Sequence, residues 1–242
     1  MNTINLSTRL VSRLFWEIIY STEEHHSPLD RPNLLNKLPA LDKLRDQVVS
    51  DPNLLQVYHH PLTGSISPSQ AYSLYLLMKY FKPLKVIEIG TFIGKSTVSM
   101  GYGIDTYSDN GEIVTCDMSN AINIPFEGKT KITQFMKKSS TEMLSELSGK
   151  YDLIFIDGRI QKEDLPLLQN LMTPTTILIL DDFEGMEKGV SNLQQLRTLE
   201  LLGKHILISP PTEEALANNR FKTLCCMAIL VPLKLFRFTN GG

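Results

Sequence analysis

The sequence is short of cysteine, of tryptophan and of any charge imbalance, and each shortage excludes something. Three cysteines in 242 residues, Cys116, Cys225 and Cys226, do not make a disulfide framework. Each sits in an apolar, strand-like stretch where a small buried thiol packs well, so a reducing, cytoplasmic setting is expected. Lys and Arg number 24 against 26 Asp and Glu, a formal charge of −2 mixed along the chain. That balance gives no electrostatic argument for nucleic acid or an anionic membrane, which leaves a small molecule as the expected partner. Long apolar runs are missing too. Arg9, Arg13 and Glu17 break up the N-terminal one, and no stretch is long enough to span a bilayer.

What is present is a 42% hydrophobic chain, enough for one sizeable core, with a pattern that changes part-way along. Residues 4–20 and 34–49 place leucine, isoleucine and valine at helical spacing, and the stretch between them reads as a loop. Residues 1–66 are therefore expected to form a helical cap or dimerisation extension before a domain over residues 67–242. His25-His26 and His59-His60 invite a metal reading, but adjacent side chains point apart and no ligand partner sits at suitable spacing. Ser67-Pro68 opens a helix that runs to about Phe81.

From there, strands and helices alternate. Strands are expected at Val86–Ile89, Gly111–Asp117, Lys131–Met136, Tyr151–Asp157, Thr175–Asp182, His205–Ser209 and Thr223–Val231. Helices are expected at Lys95–Ile104, Thr141–Leu147, Asp164–Met172 and Glu187–Leu202. This alternation predicts an α/β fold, a doubly wound, Rossmann-like, mostly parallel seven-stranded sheet with helices on both faces.

The organising stretch is Val86–Thr97, VIEIGTFIGKST, a strand running through Glu88 into a glycine turn and a helix. Its spacing fits neither a phosphate-cradling P-loop, which needs four residues between the glycines, nor the dinucleotide fingerprint, which needs glycine at Phe92. What remains is E-x-G-x-x-x-G, whose glycines let the backbone approach a ligand closely; the plainer reading is a turn that only packs helix on sheet. Ligands of open α/β sheets bind at the carboxyl ends of strands. Glu88, Asp117, Asp157 and Asp181-Asp182 all fall there. Asp117 stands at the distance where an acid accepts ribose hydroxyls in nucleoside-binding folds, or else forms a turn before Met118-Ser119. Asp157, Asp181 and Asp182 would repel one another unless protonated or bridged by a hard cation such as Mg²⁺ or Ca²⁺; the alternative is that they cap the following helices.

Together, IEIGTFIGKST, VTCDMS, YDLIFIDG and ILILDD resemble, in order and spacing, the class I S-adenosylmethionine-dependent methyltransferases, and among them the cation-dependent O-methyltransferases of the catechol and caffeoyl-CoA type. The resemblance runs from about Ser67 to Leu202. It implies that Glu88, Gly90, Thr91, Phe92, Gly94 and Ser96 hold the methionine end of the cofactor, Asp117 the ribose, and Met118, Ser139 and Ser140 the adenine. It also implies that Asp157, Asp181 and Asp182 ligate Mg²⁺, or Ca²⁺ or Mn²⁺, with Asp157 at the reaction centre. The acceptor would be a small hydroxyl-bearing molecule, a vicinal diol or catechol among the options; the apolar N-terminal helices outside the sheet domain point to a homodimer. Two positions depart from the family: Asp182 stands where asparagine is usual, and Ile160 replaces the family lysine, which makes Lys162 the expected catalytic cation. A metal-free methyltransferase, a non-catalytic subunit of the same fold and a nicotinamide dehydrogenase are the competing readings.

Overall fold

The computed structural model describes residues 2–21, 66–118, 124–185, 187–218 and 223–235. The expected helix over 34–49, the four paired histidines and the C-terminal residues 239–242 lie outside them.

Helix α1 (Asn2–Ser21) precedes α2 (Pro68–Phe81), which starts in a capping box: the Ser67 hydroxyl accepts from the Gln70 N–H, and the Gln70 side chain accepts from the Ser67 N–H. Lys82 ends α2 in the left-handed conformation and Pro83 follows. The chain then continues as β1 (Lys85–Ile89), α3 (Lys95–Asp105), β2 (Glu112–Asp117), β3 (Lys131–Met136), α4 (Ser140–Glu146), β4 (Leu153–Ile156) and α5 (Asp164–Leu171). It ends with β5 (Ile177–Leu180), α6 (Lys188–Leu196), a 3₁₀ turn at Glu200–Lys204, β6 (His205–Ile208), α7 (Glu213–Asn218) and β7 (Ala228–Pro232).

The seven strands form one sheet in the order β3-β2-β1-β4-β5-β7-β6. The pairs β3–β2–β1–β4–β5 are parallel, whereas β7 enters antiparallel to both β5 and β6, so the sheet is mixed at one end. Alternating residues feed two cores. Val86, Ile113, Leu153, Phe155 and Ile179 join the layer under α1, α2 and α3. Ile87, Val114, Ile154, Ile156 and Leu178 join the layer under α4, α5 and α6. Burial on both faces is why these strands read as near-continuous apolar runs rather than as polar–apolar alternation. The one helix expected over Glu187–Leu202 is two pieces: the Thr198 hydroxyl bonds the Gln195 carbonyl at 2.8 Å, and the chain re-forms as the 3₁₀ turn.

Helix α1 is built into the first core. Phe15, Trp16, Ile19 and Tyr20 are buried; Trp16 stacks on Tyr20, and its Nε1–H donates to the Ser209 carbonyl at 2.8 Å. Trp16 and Tyr20 thus serve to pack α1 into the core. Strand order reverses between β1 and β4, which share a register from Val86 opposite Leu153 to Ile89 opposite Ile156. The carboxyl ends of these strands frame the candidate site.

Candidate active site

The turn after β1 is held from three sides. The Gly90 and Thr91 N–H groups donate to the Cys116 carbonyl of β2 at 3.0 and 3.1 Å, and the Gly158 N–H donates to the Ile89 carbonyl at 2.7 Å. Gly90 has φ +101°, and a Cβ there would lie 2.7 Å from the Gly158 nitrogen. Glycine is therefore required at this position for the close approach of β1 to β4. Asp117, half-buried at the end of β2, accepts the Phe92 N–H through Oδ2 at 2.7 Å, which ties the acid to the turn. Met118 beside it is 71% exposed, an uncovered apolar side chain.

Glu88 is fully buried, and its oxygens accept from the Ser96 and Thr97 hydroxyls, each at 2.5 Å. Thr91 shares a short hydrogen bond with Thr115. The side chains of Glu88, Thr91 and Ser96 thus brace the turn and the first turn of α3 from inside. Ser139 and Ser140 are similarly engaged: Ser139 caps α4 through Glu142, and Ser140 donates to Asp164 at 2.6 Å, joining α4 to α5.

Burial pushes the Glu88 carboxyl up to about 7, against the hydrogen bonds from Ser96, Thr97 and Thr115. The folded protein holds this proton to about pH 7, while the unfolded chain releases it near 4.5. The associated stability is complete below the lower value and is lost as pH rises through the upper one, on the order of 3 kcal/mol in all. Glu88→Gln is therefore expected to flatten the fall in urea-unfolding free energy between pH 5 and 8. An unchanged slope would show that Glu88 does not titrate in that range.

At the ends of β4 and β5 the structure brings Asp157, Asp181 and Asp182 together, but not as an open ligand set. The Lys188 ammonium, from the first residue of α6, stands 2.6 Å from Asp157 Oδ1 and 3.0 Å from Asp182 Oδ2. Asp181 is buried and accepts a short hydrogen bond from Gln70 Nε2 of α2. Burial, then Asp157 and Asp182, hold the Asp181 carboxyl well above the usual range. Burial also raises Asp157, with Lys188 pulling it back. With Lys188 on Asp157 and Asp182 and Gln70 on Asp181, the donors as arranged do not fit a divalent ion.

Lys162, the expected catalytic cation, is exposed ahead of α5, and the lysine against the aspartates is Lys188. The sequence carried a signal for it. A lysine opening a helix faces the positive end of the helix dipole, which calls for a nearby anion. Ile160, in the family lysine's position, is buried, with its N–H on Asn192 Oδ1 at 3.2 Å.

A family model described as a methyltransferase domain matches residues 87–183, the span from β1 through the strand-end aspartates of β5. Over residues 87–183 the chain is thus similar to a methyltransferase domain. The O-methyltransferase hkm8 of Aspergillus hancockii is 29% identical to the chain over 126 residues, covering 48% of this chain and 49% of that protein. A catechol O-methyltransferase of Niastella koreensis is 28% identical over 130 residues, covering 49% and 58%. The chain thus spans about half the length of the curated relatives it matches. Among solved structures, an O-methyltransferase from Bacillus cereus in complex with SAH superposes with a TM-score of 0.52 at 19% identity, covering 79% of this chain and 90% of that one. The chain therefore shares the α/β fold that its strand order indicates, and the turn after β1, Asp117 and Met118 stand at the carboxyl ends of strands, where open α/β sheets bind ligands.

Proposed function

We propose that this chain is an S-adenosylmethionine-dependent O-methyltransferase acting on a hydroxyl of a small metabolite. The observation that carries the reading is the Asp117 carboxylate bound to the Phe92 N–H, an acid locked beside a glycine turn where a ribose would be recognised. The residues fit the cofactor: Asp117 would accept ribose hydroxyls, Met118 would cover adenine beside Ser139 and Ser140, and the turn from Gly90 to Gly94 would hold the methionine end. Glu88, Thr91 and Ser96 would hold that turn in shape. When bound, S-adenosylmethionine would supply an electrophilic sulfonium methyl for transfer to the hydroxyl oxygen, with S-adenosylhomocysteine as the leaving product. The chain's part is to hold nucleophile and leaving group in line and to exclude solvent around them.

The O-methyltransferases among the relatives support oxygen as the acceptor atom. Assistance by Mg²⁺ is a second reading, favoured by the three strand-end aspartates and opposed by the lysine between two of them. We also read residues 1–66 as a cap or dimerisation extension to the domain over residues 67–242. Leu10, Leu14 and Ile18, exposed one turn apart on α1, support a homodimer. The free thiols of Cys116, Cys225 and Cys226 support a cytoplasmic setting.

Calorimetric titration with S-adenosylhomocysteine is expected to give saturable binding, weakened roughly tenfold or more in Asp117→Ala by loss of charged hydrogen bonds. Transfer of labelled methyl to a panel of hydroxyl acceptors should follow. A folded protein that does not bind S-adenosylhomocysteine would overturn the proposal in favour of a non-catalytic subunit, and binding of NADH instead would favour a dehydrogenase.

A further inference from the structure

The acidic ends of β4 and β5 already contain a cation, and its position is fixed by more than its own ion pairs. Gly189, next to Lys188, packs so closely on the end of β5 that a Cβ there would lie 2.2 Å from the Asp181 carbonyl oxygen. Asn192, one turn further along α6, donates to the Gly158 carbonyl at 2.8 Å and accepts the Ile160 N–H. The start of α6 is thereby clamped to both strand ends, and Lys188 has only a short reach to Asp157 and Asp182. Asp182 sits at φ +48°, turning the chain sharply between β5 and α6.

Charge explains why the lysine stays. Three carboxyl groups at adjoining strand ends need partners, and the structure supplies them: Lys188 faces Asp157 and Asp182, and the Gln70 amide donates to Asp181. An ammonium donates three hydrogen bonds, of which the aspartates take two. The side chain is 25% exposed, so the third can point toward a ligand entering from the mouth.

We propose that Lys188 is the resident cation of this site, occupying the place between Asp157 and Asp182 that a divalent ion would need and presenting one N–H to the acceptor oxygen. The site then works without added metal. Its acceptor needs a single hydroxyl, because an ammonium offers one hydrogen bond where a metal ion offers two adjacent coordination positions. The acceptor half of this inference rests on the methyltransferase reading; the exclusion of metal does not.

The test is a titration of MnCl₂ into the full chain, with and without S-adenosylhomocysteine, in wild type and Lys188→Met. Wild type is expected to show no saturable binding at millimolar Mn²⁺. Lys188→Met, with its aspartates uncovered, is expected to bind roughly tenfold tighter or more, to melt lower than wild type without metal and to recover with it. Saturable binding to wild type that Asp157→Asn abolishes would overturn the proposal, whether or not the lysine variant folds. So would a Lys188→Met protein with wild-type melting and no response to Mn²⁺. Binding of S-adenosylhomocysteine, measured first without metal, decides the methyltransferase reading separately.

Discussion

Gly90→Ala is expected to lower thermal stability sharply and to weaken S-adenosylhomocysteine binding by roughly tenfold or more, about 1.4 kcal/mol. Two costs combine. At φ +101° any Cβ is strained, by about 1–2 kcal/mol. A Cβ there also lies 2.7 Å from the Gly158 nitrogen and 3.0 Å from the Asp157 carbonyl carbon, both backbone atoms that cannot swing aside. Relief requires β1 and β4 to separate at their carboxyl ends, which displaces the turn that Asp117 holds and the strand end that carries Asp157. Gly149 provides the control. It has φ +86° with nothing within 4 Å of an added Cβ, so Gly149→Ala should show the strain alone and leave binding intact. Equal effects of the two substitutions, read by calorimetry and melting, would refute the close-approach argument.

Trp16→Ala is expected to cost about 3–5 kcal/mol in urea unfolding, the range for removing a large buried aromatic. Trp16 is 1% exposed and its ring lies edge-on to Phe15. Its loss also leaves the Ser209 carbonyl without its indole donor, although the Ser209 N–H keeps the Ser12 hydroxyl at 3.0 Å. A change below about 1 kcal/mol, as for surface substitutions, would mean that α1 docks independently of the sheet.

These two sites differ in how readable they were. Gly90 stood out because a glycine after a buried strand and before a helix has few other reasons to be there. Its packing against Gly158 was not readable, since no local pattern tells which distant backbone will press against a missing Cβ. Trp16 lay in an evident amphipathic helix, but its partner at Ser209 is 193 residues away and had no local signature. The β1–β5 strands were legible because burial on both faces writes an uninterrupted apolar run. The antiparallel entry of β7 was not, because strand direction depends on how the connection returns and not on the strand's composition.

The acids divided in the same way. Glu88, Asp117, Asp157, Asp181 and Asp182 could be placed at strand ends from spacing alone. What each side chain binds was set by the turn after β1 and by α2, α3 and α6. Asp181 and Asp182 are neighbours in sequence yet face Gln70 and Lys188 respectively.

Gln70 joins two things that are usually separate. Its amide oxygen closes the first turn of α2 on the Ser67 N–H, and its amide nitrogen grips Asp181. The same side chain therefore works as a linchpin between the point where the chain re-enters the fold and the acidic end of the sheet. Ser67, Gln70 and Asp181 are thereby coupled through one side chain: a glutamate at position 70 would still cap the helix, but it would set one acid against another unless a proton settled between them.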